Sequence, residues 1–280
     1  LDTYTCTSDK DKETLSKLEI DLLIVVGWQR LIPEWLINHC KVSAIGIHGS
    51  PLGITEGRGR SPQNWALISG SNRFELSIFK IDNNADSGSL YDTSTFTISP
   101  FDDISTTYKK VCIHSAEMII KNIKNGNIIN NKLKKQEGVP SFLPKREPED
   151  GFIDWKRSSA EIYNFVRALT RPYPGAFSRI SKLKLKIWSG IPFNLDVNIG
   201  NAPGQIVKIF ENNTFLVSTG DGYYLVNDYS ISKNKIIEEG LVLESVDFSS
   251  QMENIILRHK NNFPNYPLSK LITDLIKYEY

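Results

Sequence analysis

The segment Ile20-Asp21-Leu22-Leu23-Ile24-Val25-Val26 is a nearly continuous run of branched aliphatic residues. Such a run suits a strand covered on both faces. Glu13 to Leu18 ahead of it reads as a short helix. Pro33-Glu34-Trp35-Leu36-Ile37 behind it reads as a helical turn, with proline where a first turn tolerates it. Val42 to Ile47 is a second strand-like run. Strand, helix, strand on brief connections is the α/β pattern of a parallel sheet. His48 to Arg60 carries four glycines in thirteen residues and is expected to be irregular. Ser61-Pro62 then opens a helix through Ile68.

Phe74 to Ile81 and Gly88 to Ile98 alternate as strands do. From Asp103, Ile104, Tyr108, Val111, Cys112, Ile119 and Ile123 keep helical spacing. Asn125 to Asp150 is polar, with lysines at 133 to 135 expected on a solvated loop, and marks a domain boundary. Ser158 to Ala168 reads as one helix with Ile162, Phe165, Val166 and Leu169 on one face. Leu183 to Trp188 and the stretch from Gln205 to Asn227 hold short alternating runs broken by Gly, Asn and Asp, as in a small β-barrel. The expected division is a first domain over 1–140, a second over 150–240, and a partly helical tail over 241–280.

Charge narrows the partners. Thirty-three Lys and Arg face 32 Asp and Glu, a net charge of +1, whereas a chain that grips nucleic-acid backbone carries a basic surplus. No apolar run is long enough to cross a membrane. Cys6, Cys40 and Cys112 are scattered and form no Cys-x-x-Cys pair, so free thiols in a reducing cytoplasm are expected and no metal cluster is. The start has no leader pattern, and Leu1 to Ser8 read as mid-domain sequence, as if the beginning were truncated.

Of four histidines, His39, His114 and His259 lie where structural roles suffice. His48 follows a buried strand and opens the glycine-rich stretch, outside the carboxyl end of a strand, where α/β sites form. Its candidate partners are the acids of Ile81-Asp82-Asn83-Asn84-Ala85-Asp86-Ser87-Gly88. On spacing alone that segment is an Asx-rich hairpin loop. Alternatively Asp86 or Asp82 fixes the tautomer of His48 and steadies its imidazolium. There is no Gly-x-Ser-x-Gly elbow and no phosphate or dinucleotide fingerprint. Gly57-Arg58-Gly59-Arg60 is either an anion seat or a solvated turn.

His48-Gly49-Ser50-Pro51-Leu52, Gly57-Arg58-Gly59-Arg60-Ser61-Pro62-Gln63-Asn64-Trp65 and Asp86-Ser87-Gly88 together resemble the folate-dependent formyltransferases. Pro148-Glu149-Asp150-Gly151-Phe152-Ile153-Asp154-Trp155 resembles the lead into that family's second domain. Arg167 to Phe177, with Tyr173-Pro174-Gly175-Ala176-Phe177, is similar to the branch acting on nucleotide-linked amino sugars, the aminoarabinose formyltransferases in particular. Pro203-Gly204-Gln205-Ile206 and Ser218-Thr219-Gly220-Asp221-Gly222 resemble the carboxyl-terminal barrel.

The resemblance implies a Rossmann-like parallel-sheet formyltransferase domain, short of its amino-terminal βαβ unit, followed by an OB-like barrel. It implies formyltetrahydrofolate as formyl donor, a nucleotide-linked amino-deoxysugar of lipopolysaccharide or O-antigen type as acceptor, no metal, and a homodimer. The alternatives are a methionyl-tRNA formyltransferase or a non-catalytic binding relative. By the same resemblance His48 and Asp86 are catalytic, and Gly46 stands where the family has the Asn of Asn-x-His, an oxyanion donor. Either the backbone of Gly46 and a nearby polar group, Ser50 or Asn64 by proximity in sequence, substitute for that donor, or the activity is slow or lost. The pterin would meet Arg30, Leu31, Ile32 and Asp82 to Asp86, with Trp28 as a wall and Trp35 in the core. Ser50, Arg60, Arg171, Tyr173 and Phe177 would meet the acceptor.

Overall fold

The computed structural model describes residues 5–28, 30–195, 202–232 and 237–277. Leu1 to Tyr4 and the end of the tail therefore lie outside the described residues. The chain divides into two compact units. The first comprises 1–62, 73–97 and 109–143; the second comprises 63–72, 98–108 and 144–280.

The first unit contains α1 (Asp9–Ser16), β1 (Leu22–Val25), α2 (Glu34–His39), β2 (Ser43–Ser50), α3 (Gly53–Glu56), β3 (Arg58–Gly59), β4 (Arg73–Lys80), β5 (Leu90–Thr97) and β6 (Phe142–Leu143). Its main sheet has the order β1-β2-β4-β5. Only β1 and β2 are parallel; β2–β4 and β4–β5 run antiparallel. The expected parallel sheet is thus a mixed one. The α2 crossover enforces the parallel pair, but the short 81–89 connection is a hairpin and can only return antiparallel.

Two further expectations give way here. The apolar run at β1 is not covered on both faces: Leu23 and Val25 pack against the Cys6, Ile32 and Leu36 cluster, whereas Ile24 is 42% and Val26 61% exposed. Nor is 48–60 irregular throughout. β2 continues through His48 and Gly49 to Ser50, in register with Ser77, Leu76 and Glu75 of β4. The ladder with β4 overrides the weak strand propensity of glycine. The core of this unit is Ala44, Ile45, Phe74, Leu76, Ile78, Phe96 and Ile128, all buried.

In the second unit α4 (Pro62–Ile68) contributes Trp65, fully buried, whose Nε1 donates to Pro144 O at 2.8 Å. The helix α5 (Ile104–Lys124) runs from this unit's segment into that of the first. α6 (Ser159–Leu169) begins with a capping box. The Ser158 hydroxyl accepts from Glu161 N, and Glu161 accepts from Ser158 N, which satisfies two of the free amides of a helix start. Strands β7 (Ala176–Ile180), β8 (Leu183–Phe193), β9 (Ile206–Ile209), β10 (Phe215–Ser218) and β11 (Tyr223–Ile231) form an antiparallel sheet of order β7-β8-β11-β10-β9. Among the described residues no ladder joins β9 to β7, so a closed barrel is not seen. Closure depends on the stagger between strands, which alternation within each strand does not encode. α7 (Phe248–Asn262) and α8 (Lys270–Lys277) make up the helical tail.

Candidate active site

The geometry centres on the end of β2. His48 has a 9% exposed side chain and two ring contacts: Nε2 lies 2.7 Å from Gly57 O, and Nδ1 lies 3.5 Å from Asp86 Oδ2. A carbonyl oxygen only accepts, so Nε2 carries hydrogen and Nδ1 is the nitrogen open to a further proton. Such a proton would face the Asp86 carboxylate, whose same oxygen accepts from Gly59 N at 3.1 Å. At 3.5 Å the His48–Asp86 contact is an ion-pair distance rather than a formed hydrogen bond.

Local sequence explains how Asp86 arrives there. It sits at φ 52, in the left-handed region that Asp tolerates better than most residues. Asp82 shapes the turn from within: its Oδ1 accepts from Asn84 N at 3.0 Å and from the Ser87 hydroxyl. Gly88 is required by space, since a Cβ there would lie 1.6 Å from Lys80 O. Of the two acids left open by spacing, Asp86 meets the imidazole and Asp82 builds the turn.

Gly46 lies two residues before His48 on the same face of β2, paired with Phe79 of β4. A Cβ at position 46 would be 2.6 Å from the tip of the Phe79 ring. The aromatic ring fills the volume that an asparagine would need. Each substitute donor named from the sequence makes a hydrogen bond that leaves it a further hydrogen to donate. The fully buried Ser50 hydroxyl accepts from Leu52 N at 3.1 Å, and Asn64, in the second unit, donates to Ala168 O at 2.6 Å. Ser77 gave no sequence signal, yet it is the register partner of His48, is fully buried, and its hydroxyl has no hydrogen-bond partner among the described residues.

Around the site, Arg58 donates to Gln136 Oε1 at 2.8 Å. Burial pushes its pKa down from the usual arginine value, with Asp86 and Asp82 opposing that shift. Arg60, not Arg58, was the arginine singled out by motif; Arg60 donates its backbone N–H to Leu143 O at 3.0 Å. Trp28, Trp35 and Ile81 pack against the cluster of Cys6, Ile32 and Leu36. Trp35 Nε1 donates to Cys6 O at 3.2 Å. Arg30 and Leu31 are exposed.

Arg171, Tyr173 and Phe177 belong to the second unit and all have partners within it. Arg171 pairs with Asp228 at 2.8 Å and stacks on Trp188 at 4.3 Å. The Tyr173 hydroxyl meets that of Tyr108 at 2.7 Å, the rings stacked 6.4 Å apart. Burial, then the Tyr108 hydroxyl, pushes the Tyr173 pKa far up. Phe177 is 3% exposed beneath Lys184 Nζ. The remaining histidines have structural bonds, His39 to Leu18 O, His114 to Ser94 and His259 to Tyr266 O. All three cysteines are free, and no metal-binding cluster occurs among the described residues. No helix among them is long and apolar enough to cross a membrane.

Residues 5–123 match the family model for formyl transferase, and residues 145–242 match that for the formyl transferase C-terminal domain. In consecutive order the two matches cover most of the chain, and it belongs to the formyl transferase family. Among curated proteins it is similar to the bifunctional polymyxin resistance protein ArnA of Wigglesworthia glossinidia brevipalpis, at 29% identity over 279 residues, covering 94% of this chain and 41% of that protein. The chain therefore spans less than half the length of that relative. Two solved structures share the fold. HypX from Aquifex aeolicus, in complex with tetrahydrofolic acid, aligns at TM-score 0.62 and 18% identity over 84% of this chain and 39% of that one. The N-formyltransferase from Helicobacter canadensis, in complex with folinic acid and dTDP-3-aminofucose, aligns at TM-score 0.56 and 21% identity over 78% and 77%.

Proposed function

We propose that this chain is an N-formyltransferase that moves a formyl group from formyltetrahydrofolate to the amino group of a nucleotide-linked amino-deoxysugar. The observation that carries the reading is the His48–Asp86 pair at the end of β2, inside the segment matching the formyl transferase model. Attack by an amine on a formyl carbon needs a group to take the amine proton and charge to steady the oxyanion. His48 takes that proton and becomes an imidazolium with Asp86 as its counter-charge. The tetrahedral intermediate then collapses, the bond from the formyl carbon to the folate nitrogen breaks, and the imidazolium returns its proton to tetrahydrofolate as that leaves.

Residues of suitable chemistry for the donor are present: the backbone of Arg30 to Ile32 and of the Asp82–Asp86 turn for the pterin edge, and Trp28 for its face. The donor supplies the activated formyl group; the chain orients it and handles the proton. The near-neutral charge and the likeness of Arg167 to Phe177 to the sugar-nucleotide branch support a small acceptor over tRNA. Arg171 is exposed and would exchange Asp228 for a diphosphate. Tyr173 and Phe177 act by holding that segment.

The test is to incubate purified protein with formyltetrahydrofolate and a panel of dTDP-, UDP- and GDP-linked amino sugars, following free tetrahydrofolate and the acceptor mass. One acceptor gaining a formyl group in step with tetrahydrofolate release is the expected result. Formylation of charged initiator tRNA with no sugar product would overturn the acceptor assignment.

A further inference from the structure

Gln136 lies in the polar stretch between Asn125 and Asp150. Its side-chain amide is fully engaged. Nε2 donates to Asp86 O at 2.8 Å and to Gly88 O at 2.9 Å. Oε1 accepts from Arg58 Nη2 at 2.8 Å and from Thr55 Oγ1 at 3.1 Å. Two donors and two acceptor sites are all that a primary amide possesses.

The partners fall on the two segments that flank the imidazole. Thr55 and Arg58 bracket Gly57, whose carbonyl holds His48 Nε2. Asp86 and Gly88 belong to the turn whose carboxylate faces His48 Nδ1. One amide therefore ties together the two walls between which the ring stands. Asp82 organises the turn internally through hydrogen bonds and reaches the 53–59 segment only through its charge on Arg58. Among the described residues, the hydrogen bonds that join the two segments are those of Gln136 and that of Asp86 with Gly59 N.

We propose that Gln136 is a positioning residue for the reaction: its amide fixes the spacing between Gly57 O and the Asp86 carboxylate, and so sets the orientation and charge environment of His48. The proposal rests on the reading of His48 and Asp86 as the reacting pair. The competing explanation is that Gln136 only staples the 125–141 loop to the unit, as Ser141 does through its bond to Glu56 O at 2.7 Å.

The experiment follows the His48 ring protons by NMR titration, assigned with His48→Gln, in the whole chain. The charged group facing the ring is Asp86, which in turn interacts with Arg58, as does Asp82, and Asp86→Asn defines the midpoint of a ring without its counter-charge. Gln136→Met and Gln136→Glu both remove the two donors, while Glu keeps the acceptors for Arg58 and Thr55. Both variants should move the His48 midpoint to that of Asp86→Asn, and adding Asp86→Asn should shift it no further. In formyl transfer both should lower kcat about 100-fold, the cost of a misplacement of about an ångström, with KM for the donor nearly constant. Ser141→Ala should lower Tm and leave the midpoint alone. If Gln136→Met fails to fold, Thr55→Val, which removes one bond of the four, must still move the midpoint in the same direction. Unmoved midpoints in the folded variants would overturn the proposal. A midpoint that moves in a protein that formylates nothing would support the positioning role and sink the formyl-transfer reading instead.

Discussion

The Oδ2 atom of Asp86 stands 3.5 Å from His48 Nδ1 and 3.1 Å from Gly59 N, one oxygen serving both a ring and a backbone amide. On the proposed reading, Asp86 is the counter-charge for His48 during proton transfer. Asp86→Asn keeps the size of the side chain and removes the charge. Turnover should fall by about 100-fold or more, and the acid limb of the pH–rate profile should move. A variant matching the parent in both would reduce Asp86 to a turn residue.

Gly46→Asn is expected to fail as a restoration. The new Cβ would lie 2.6 Å from the Phe79 ring, and overpacking of that kind costs about 1–3 kcal/mol. Denaturation should show the loss, and turnover should not rise. Gly46→Asn combined with Phe79→Leu relieves the contact and should regain much of the stability. A large gain in turnover from the single substitution would show that the ring yields and the donor was simply missing.

The unpartnered Ser77 hydroxyl is buried opposite His48. Ser77→Ala removes a polar group that gains nothing in the resting structure, so Tm should hold or rise slightly. If the hydroxyl serves the reaction, kcat falls while Tm does not. A variant with full activity and higher Tm would confine Ser77 to packing.

Tyr173→Phe deletes one half of the hydroxyl pair with Tyr108. Stability should drop by about 1 kcal/mol, with acceptor KM within about twofold. An unchanged denaturation midpoint with a raised acceptor KM would return Tyr173 to the acceptor site.

Acid stability has a local signature at Asp92. Burial raises its pKa, but bonds from Lys121, Asn122 and Thr93 N outweigh it, so the net shift is downward. A carboxylate depressed in the folded state stabilises above its unfolded value of about 3.9 and loses that contribution as pH falls through the folded value. The stability advantage of the parent over Asp92→Asn should be present at neutral pH and vanish in acid. A difference independent of pH would contradict the assignment.

Much of the site was legible because its chemistry is local in sequence. The segment holding Asp82 and Asp86 is legible as a loop from its Asx-rich composition, Asp86 is singled out through the family resemblance, and His48 is marked by the strand that precedes it. Gln136 was not legible: its bonds reach across more than forty residues to carbonyls, which leave no trace in composition. Ser77 was hidden for the same reason, since its meaning comes from register with His48. The mixed sheet and the open order of the second sheet are likewise properties of strand pairing, not of any one strand. Arg171, Tyr173 and Phe177 are singled out by motif, and the structure adds the partner of each within the second unit, Asp228, Tyr108 and Lys184.

The most direct measurement uses formyltetrahydrofolate carrying an isotopically labelled formyl carbon, with the amino sugar nucleotide identified by screening. The parent protein should move the label onto the acceptor nitrogen, and His48→Gln, still folded and still binding folate, should do so at least about 100-fold more slowly. Transfer by His48→Gln at more than about a tenth of the parental rate, or no transfer by the parent to any acceptor, would contradict the account.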